Sequence, residues 1–447
     1  MRRGILNGVF TATAFAAMAV SIIPGTALAI EVTRTPTGVL LHDEVNAQAG
    51  YTLLQTSPDV LLIDLYGNVV HRWTTGPGGD AQLTKDGTLL RISSCAANDT
   101  CDGNPLNWGG AGGRLREWTW DGELIWDIDL ARPDKIAHHS YHRMPNGNTL
   151  LVVWERYSRK AAIKKGRDPD TVNPEGAVGT EPRPGVYVGD FWPDMIVEIR
   201  KPKGGGIHDF EIVWHWRAWD HVCDKKRVGC LDINYHIPRP TDQTHRSSAD
   251  YMHVNSVDYD EVNDVVIINS RVFGEFYVID HKTGKILYRW GNPSAWDETA
   301  VAPSYMEDGD TYLFGSHGAT VVDSEPGFLK VVVFDNGWLR PSGSRSRALE
   351  VDVKLYDKEF RMAPNPPVWS FQTRSANSLS SPFVSYAQRL GNGNTLITSG
   401  MENHLIEVTR DGEYVWEYVI PFFSEGPEAC QNIDGVGGGF VFRTYRY

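Results

Sequence analysis

The sequence predicts an all-β protein, specifically a six-bladed β-propeller, and three observations support this fold class. Short apolar runs bounded by Gly, Pro, Asn and Asp recur along the chain, as is typical of strands. Two hairpin motifs alternate, and hairpins that repeat at a long period indicate a radial array of antiparallel sheets. The sequence shows no sustained amphipathic helical pattern, which counts against α/β folds. A β-sandwich or a pair of β-domains is the alternative.

The first motif is a turn followed by an apolar strand that ends in tryptophan. The sequence has 15 tryptophans, and six copies of the motif account for part of them. The copies lie at residues 64–73, 121–126, 210–214, 283–290, 365–369 and 411–416. Each copy predicts a hairpin turn and a strand that buries an aromatic side chain. Six copies therefore predict six blades.

The second motif is a tight turn followed by an apolar strand. Its copies lie at residues 85–90, 145–151, 261–266, 325–332 and 391–397. Several contain Asn-Gly or Asp-Gly, which favour hairpins because the turn needs a positive φ.

Residues 1–29 have the pattern of a signal peptide. Two arginines precede an apolar, Ala-rich stretch at 6–23, and a small-x-small cleavage site ends at residue 29. A membrane anchor is the alternative, but the apolar stretch is short for a span and a Pro-Gly pair interrupts it. We therefore expect the mature chain to begin near Ile30 and to be periplasmic or secreted.

The mature chain is expected to contain an N-terminal β segment at 30–60 and the propeller at 61–447, with residues 437–445 as a last strand that helps to close the ring. Three long segments interrupt the repeat. They lie near residues 159–190, 215–246 and 338–347. Propeller strands need only short turns, so these segments are predicted to be loop insertions that either cap the channel or decorate the surface.

The charge of the chain limits its partners. The formal net charge is −13 and no basic tract is present in the sequence. This composition argues against nucleic acid as a partner and against an anionic membrane surface. The sequence leaves open whether the protein forms a homo-oligomer.

The five cysteines fit an exported protein. Cys95 and Cys101 are close in sequence, as are Cys223 and Cys230, and Cys430 is left over. The two close pairs predict local disulfides in surface loops. Neither spacing is one of a zinc finger.

Histidine recurs at one position of the repeat. We aligned the second motif on its first apolar strand residue and stepped back 11 or 12 positions. The residues found there are Gly78, His139, His253, His317 and Ser385. This strand precedes the first hairpin of a blade, so it is predicted to be the innermost one. Three histidines from three blades would then converge on the axis.

The sequence gives weaker support for functional roles of other arginines and histidines near these three residues. Arg271 and Arg156 lie six positions after the first apolar strand residue of their copies of the second motif. Their guanidinium groups could hold an oxyanion such as sulfate. Strand alternation predicts that His138 and His142 face away from His139, although the register of the pair His138-His139 is open. The three histidines could instead be structural or form a metal site. The histidines of the second insertion region, His215, His221, His236 and His245, are taken as loop residues.

Four blocks of the sequence resemble the bacterial arylsulfate sulfotransferase family, in order over roughly residues 61–418. The blocks are His138-His-Ser with the turn at 145–150, His253-Val-Asn-Ser with Ser270-Arg271, Ser316-His-Gly with Phe334-Asp-Asn-Gly and Ser346-Arg-Ala, and residues 385–397 with Trp416-Glu-Tyr. The resemblance implies an exported six-bladed propeller that moves a sulfuryl group from an aryl sulfate to a phenol. It implies no cofactor, no metal and no use of the donor 3′-phosphoadenosine-5′-phosphosulfate.

The resemblance also implies ping-pong chemistry through a sulfohistidine. His317 would be the nucleophile, and His253 and Arg271 would bind and polarise the sulfate. Asn255 would add a donor and His139 would complete the catalytic set. Further candidate substrate-binding residues are Ser385 and His138.

The sequence departs from the family pattern at three positions. Ser140 stands where the family has an acidic residue, and Ser316 and Gly318 stand where it has glutamine and a polar residue around the nucleophile. These differences leave open how the histidines are supported by hydrogen bonds. The alternative functions are a metal-dependent hydrolase or lyase on the same scaffold and a non-catalytic binding propeller.

Overall fold

Six antiparallel sheets form a six-bladed β-propeller in the computed structural model of the chain. The predicted all-β fold is therefore confirmed. The structure describes residues 36–56, 58–94, 109–169, 190–227, 229–235, 249–355, 365–373, 379–421 and 440–447. The predicted signal peptide, Cys95, Cys101 and Cys430 lie outside these residues. No helix in the described part of the chain is long and apolar enough to cross a membrane.

The first strands in chain order are β1 (Gly38–His42), β2 (Thr52–Gln55), β3 (Asp59–Ile63), β4 (Val69–Thr74), β5 (Gly78–Leu83), β6 (Leu89–Ser94), β7 (Gly113–Trp118), β8 (Leu124–Asp129), β9 (Lys135–Arg143), β10 (Thr149–Glu155), β11 (Asp194–Arg200), β12 (Glu211–Arg217), β13 (Val222–Cys223) and β14 (Leu231–Asp232). The remaining strands are β15 (Val254–Asp260), β16 (Val265–Ser270), β17 (Glu275–Asp280), β18 (Ile286–Trp290), β19 (His317–Glu325), β20 (Phe328–Asp335), β21 (Arg347–Lys354), β22 (Trp369–Phe371), β23 (Tyr386–Arg389), β24 (Thr395–Ser399), β25 (His404–Val408), β26 (Tyr414–Val419) and β27 (Thr444–Arg446). Two short helices are α1 (Arg159–Lys165) and α2 (Ala218–His221).

The blades follow the chain from the axis outward. Blades 2 to 6 contain β5–β8, β9–β12, β15–β18, β19–β22 and β23–β26, and blade 1 contains β2–β4. The first strands of neighbouring blades contact one another, which places them around the axis. The second motif of the sequence therefore opens the second strand of blades 2 to 6. Of the aligned histidines, His253 precedes the innermost strand β15, His317 begins β19 and His139 lies within β9.

Strands from both ends of the described chain complete the ring. β27 pairs with β2, Thr52 opposite Arg446, and becomes the innermost strand of blade 1. β1 pairs with β26 as a fifth strand on blade 6. Arg446 Nε donates to Thr52 Oγ1 at 2.7 Å, and Arg446 Nη1 donates to Gln48 O at the same distance. These pairings join the beginning and the end of the described chain and so close the ring of blades.

The tryptophan motif links each blade to the next. In every blade one tryptophan of the fourth strand donates its indole N–H to a carbonyl of the turn before the fourth strand of the following blade. The pairs are Trp73 to Thr119, Trp126 to Asp209, Trp216 to Gly284, Trp290 to Asn365, Trp369 to Arg410 and Trp416 to Leu65, at 2.8–3.2 Å. In blade 3 the buried, linking residue is Trp216, whereas Trp214, at which the motif predicted the buried aromatic, is only partly buried.

The segments predicted to be insertions carry small elements of their own. The first contains α1, whose N-cap Ser158 accepts a hydrogen bond from the backbone of Ala161. In the second, β12 continues to Arg217 and is followed by α2 and by the parallel pair β13 and β14. A disulfide joins Cys223 to Cys230 there, which confirms that predicted pair. The third segment lies between β20 and β21.

Candidate active site

The innermost strands of blades 2 to 5 are irregular near their beginnings. In each, the pairing with the second strand shifts register, and the extra residues lie at positions 79–80, 138–140, 255 and 318–319. Such bulges re-aim side chains and are frequent beside active sites. His139 and His253 also have left-handed backbone conformations, with φ of 53° and 51°. That conformation is uncommon for non-glycine residues and marks a local constraint.

The structure brings the three aligned histidines together. The ring centroids of His139 and His253 are 4.5 Å apart. Phe442, just before β27, lies between the other pair, with its ring centroid 5.9 Å from that of His139 and 6.5 Å from that of His317. Blades 3, 4 and 5 thus each supply one imidazole to one end of the axis.

His317 is held by the side chain of Asn336. Nδ1 of His317 lies 2.7 Å from Oδ1 of Asn336. The amide nitrogen of Asn336 donates to Ser381 O at 2.6 Å and to Val384 O at 2.9 Å, so its oxygen must face the histidine. Because that oxygen can only accept, Nδ1 of His317 carries the proton and Nε2 presents a lone pair.

The environment of His317 favours the neutral imidazole. The residue is only 3% exposed. Burial holds the pKa of His317 well below its usual value, and the positive charge of Arg271 lowers it further. A neutral imidazole with a free Nε2 is the form that can act as a nucleophile.

Arg271 lies beside His317, whereas Arg156 does not join the cluster. The guanidinium carbon of Arg271 is 4.3 Å from the ring centroid of Trp338 and 4.9 Å from that of Phe383. These are cation–π distances, and both rings are half-buried. Arg156 Nε instead donates to Asp190 Oδ2 at 2.7 Å.

His253 is paired with a carboxylate. Its Nδ1 is hydrogen bonded to Oδ2 of Asp250, and Nε1 of Trp154 donates to the other carboxylate oxygen at 3.1 Å. Since a carboxylate accepts, Nδ1 of His253 carries a proton and the ring orientation is fixed.

His138 lies behind His139 and is fully buried. Its ring stacks on Trp154 at 3.7 Å, its Nδ1 is 2.8 Å from Nδ1 of His139, and its Nε2 is 3.1 Å from Oδ1 of Asp194. The prediction that His138 faces away from His139 by strand alternation was therefore wrong, because the bulge at 138–140 breaks the alternation. His142 beyond the bulge does turn elsewhere and pairs with Asp258, Nδ1 to Oδ1 at 2.8 Å.

Asn255 and Ser385 are occupied by the scaffold. Both are fully buried. Asn255 donates from Nδ2 to Ser316 O at 2.8 Å and accepts from Asn269 at 2.9 Å. Ser385 donates to Ser381 Oγ at 2.7 Å and accepts from the backbone N–H of Gly400 at 2.9 Å. The structure thus uses both side chains to hold neighbouring strands and loops.

The sequence profile of the arylsulfotransferase family matches residues 182–420, which is more than half of the chain. The chain belongs to the arylsulfotransferase family. The resemblance seen in the sequence blocks is therefore confirmed, and blades 4 and 5 with the three residues His253, Arg271 and His317 lie inside the match. No curated protein matched the chain significantly.

Several solved structures resemble this chain at low sequence identity. A protein of unknown function from Bacteroides caccae is 12% identical and aligns over 83% of this chain and 94% of its own, with a TM-score of 0.43. The virginiamycin B lyase of Staphylococcus aureus is 9% identical over 87% and 90%, with a TM-score of 0.35. The periplasmic gluconolactonase of Pseudomonas aeruginosa is 13% identical over 83% and 97%, with a TM-score of 0.37.

The positions at which this chain departs from the family pattern have structural partners. Ser140 accepts from Arg443 Nη1 at 3.2 Å. Ser316 donates to Asn269 Oδ1 at 2.9 Å. Gly318 has a φ of 67°, and a Cβ there would overlap the ring of Tyr386. The serines therefore support the histidine-bearing strands, and the glycine is required by its backbone and its neighbour.

Sequence reasoning missed Arg443 in the floor of the site. This fully buried side chain donates from Nη1 to Asp80 Oδ2 at 3.2 Å and from Nη2 to Asn255 O, so it ties blade 1 to blades 2 and 4. Burial and the charges of other side chains are the larger causes of the low pKa of His139 and His317, and the positive charge of Arg443 lowers both further. The available signal was an arginine inside an apolar C-terminal run, Phe-Val-Phe-Arg-Thr-Tyr.

Three further supporting residues were also missed. Trp154, Asp194 and Asp250 contact His138 or His253, but none belongs to a repeated motif. Asn336 was noticed only as part of the Phe-Asp-Asn-Gly block. Within the described residues, no group of three or more His, Cys, Asp or Glu side chains is arranged to hold a metal ion.

Proposed function

We propose that this arylsulfotransferase transfers a sulfuryl group from an aryl sulfate to a phenol through a covalent sulfohistidine at His317, without a nucleotide donor. The observation that carries the proposal is the fixed tautomer of His317. Asn336 accepts the Nδ1 proton at 2.7 Å, which leaves the Nε2 lone pair available beside Arg271.

Arg271 and His253 fit the role of binding the sulfuryl oxygens. A guanidinium group offers a planar fork of donors to an oxyanion and stabilises the charge that develops on it. The two aromatic rings at 4.3 and 4.9 Å restrict where the guanidinium of Arg271 can lie. In its doubly protonated form His253 would donate from Nε2 to a second oxygen, and Asp250 would balance its charge.

Aromatic side chains around the cluster fit an aryl group. Trp338, Phe383 and Phe442 are half-buried, and they lie next to Arg271, His139 or His317. Aromatic faces and edges bind a phenyl ring by offset or edge contacts. An aryl ring packed there would leave its sulfate near Arg271.

The chemistry takes two half-reactions. In the first, Nε2 of His317 attacks sulfur, the bond from sulfur to the aryl oxygen breaks, and the departing phenolate takes a proton. In the second, an acceptor phenol gives up its proton and its oxygen attacks the sulfuryl group, which breaks the N–S bond and regenerates His317. Phenol has a pKa of about 10, so proton transfer assists both steps. We assign the exchange of that proton to His139, a role that its contacts with His253 and Phe442 support.

We also propose that the protein is exported and works in the periplasm or outside the cell. The signal pattern of residues 1–29 supports this location. The Cys223–Cys230 disulfide is of the kind that persists in oxidising compartments.

Turnover with 4-nitrophenyl sulfate and phenol tests the proposal. We expect nitrophenol release that depends on the phenol acceptor, and we expect His317→Ala to abolish it. A panel of aryl sulfates that gives no acceptor-dependent release, or a His317→Ala variant with full activity, would contradict the proposal.

A further inference from the structure

A buried polar chain leads from the site into blade 3. It begins at His139, continues through His138, and ends at Asp194, the first residue of β11. Nδ1 of His139 and Nδ1 of His138 are 2.8 Å apart, and Oδ1 of Asp194 lies 3.1 Å from Nε2 of His138. All three side chains are at least 95% buried. Trp154 stacks on His138 at 3.7 Å and fixes its plane.

The contact between the two imidazoles constrains their protons. When two Nδ1 atoms face each other at hydrogen-bonding distance, one must donate and the other must accept. If His138 donates, His139 carries its proton on Nε2, toward the site. If His139 donates, its Nε2 presents a lone pair instead. Nε2 of His138 has no hydrogen bond of good geometry within the described residues, so a small rotation toward Asp194 completes the chain.

We propose that Asp194, His138 and His139 form a proton relay that supplies the proton to the departing phenolate and recovers it from the incoming phenol. The inference rests on the proposed sulfuryl transfer and adds the source of its proton. Asp194 and His138 are positioning residues that act through His139.

Three proton transfers through these residues accompany the first half-reaction. The phenolate oxygen takes the Nε2 proton of His139, the Nδ1 proton of His138 moves to Nδ1 of His139, and the carboxyl proton of Asp194 moves to Nε2 of His138. The negative charge thereby passes from the phenolate to Asp194, and both imidazoles stay neutral. The second half-reaction runs the same transfers in reverse when the acceptor phenol loses its proton.

The surroundings explain why a relay is needed. Burial, followed by the charge of His253, holds the pKa of His138 and His139 well below the usual value. A cationic imidazole acid is therefore disfavoured at His139. A neutral imidazole acting alone would become an imidazolate, a stronger base than the phenolate it protonates. Coupling to a carboxylic acid removes this obstacle.

The surroundings of Asp194, the last residue of the relay, can stabilise both its neutral acid and its carboxylate. Burial, and then the negative charge of Asp250, raise its pKa well above the usual range, which favours the neutral acid as the resting form. The backbone N–H groups of Val254, His253 and Met252 point at the same carboxyl, with Val254 N at 3.1 Å from Oδ1. These donors would stabilise the carboxylate once its proton has left.

Asp194→Asn tests the relay with little change in shape. An amide can still donate to Nε2 of His138, but it cannot give the proton away. We expect kcat/KM to fall about 100-fold with phenyl sulfate, whose leaving group is strongly basic. With 4-nitrophenyl sulfate, whose leaving group needs little protonation, we expect a loss of less than about fivefold, in line with weak acid catalysis. His142→Gln, which breaks a similar imidazole–carboxylate pair on the same strand, is the matched control and should affect both donors equally.

An equal loss on both donors in Asp194→Asn, or no loss, would overturn the relay. A second measurement uses the wild-type protein and requires neither activity nor a variant. ¹⁵N NMR of the histidine side chains should show His138 protonated on Nδ1 and His139 protonated on Nε2. The opposite pair of tautomers, or a cationic His139, would contradict the relay. If no aryl sulfate is turned over, the proposed function fails. The NMR result still decides which tautomers His138 and His139 adopt at rest.

Discussion

Replacing Asn336 by leucine should separate the orientation of His317 from the rest of the fold. Leucine has the same number and branching of side-chain heavy atoms, but it cannot accept from Nδ1 of His317 or donate to the carbonyls of Ser381 and Val384. Gly315 O, 3.2 Å from Nδ1, remains as an alternative acceptor, so the correct tautomer is weakened but not lost. One hydrogen bond contributes about 1–1.5 kcal/mol, and misorientation adds to this, so we expect sulfo-enzyme formation to slow by about 10- to 100-fold.

The same substitution should also reduce stability. Two buried carbonyls lose their donor, and each unsatisfied buried group costs about 1–3 kcal/mol, so we expect about 2–4 kcal/mol less free energy of unfolding after partial relaxation. Asn394→Leu is the matched control, because Asn394 is also buried and its Nδ2 donates to Asn46 O and Glu407, away from the axis. It should lose stability without slowing the chemical step.

The rate is measured as the pre-steady-state release of nitrophenol from 4-nitrophenyl sulfate without acceptor, and stability by urea unfolding. If Asn336→Leu forms the sulfo-enzyme within twofold of the wild-type rate while Asn394→Leu behaves as expected, the tautomer argument for His317 is refuted.

Three other perturbations follow from the site. Arg271→Lys keeps the charge but loses the planar fork, so kcat/KM for aryl sulfates should fall at least about tenfold; unchanged steady-state kinetics would remove Arg271 from the sulfate site. Gly318→Ala places a Cβ against Tyr386 at a φ of 67°, so the melting temperature and the sulfuryl-transfer rate should both fall, and a variant equal to wild type in both would show that the strand can adjust. Since the pKa of His317 is depressed on folding, the unfolded chain binds protons that the folded protein does not as pH drops below about 6.5, and the unfolding free energy should fall there. Urea midpoints between neutral and mildly acidic pH should show this decline, and His317→Gln should make it shallower; an identical slope would contradict the depressed pKa.

The fold was predictable because its signals are local. Asn-Gly turns such as the one before β10 place Gly147 at a φ of 85°, and the sequence alone indicates that conformation. The tryptophan motif identified the linking residue in five blades. In blade 3 it selected Trp214 instead of Trp216, because β12 carries two tryptophans two residues apart and the motif does not indicate which of them is buried.

The convergence of the histidines was predictable for the same reason. A repeat places equivalent residues of each blade at equivalent positions around the axis, so the spacing of His139, His253 and His317 within their repeats was enough to group them. The side on which His138 lies could not be predicted, because it depends on a bulge that only the pairing of β9 with β10 reveals.

Most of the residues that support the histidines could not be predicted. Asp194, Asp250 and Trp154 meet the histidines from other strands or from the segment before β15, and Arg443 arrives from the end of the chain. Each is a single residue without a repeated counterpart. Their roles arise from burial and hydrogen bonding in three dimensions, which neither spacing nor composition encodes.

The central claim is that His317 carries the sulfuryl group between donor and acceptor. Intact mass spectrometry of the protein incubated with an aryl sulfate alone measures this most directly, followed by peptide mapping under mild alkaline conditions. The account predicts a single added sulfuryl group, located on His317, that disappears when phenol is added. No adduct under conditions of active turnover, or an adduct on another residue that persists in His317→Ala, would contradict it.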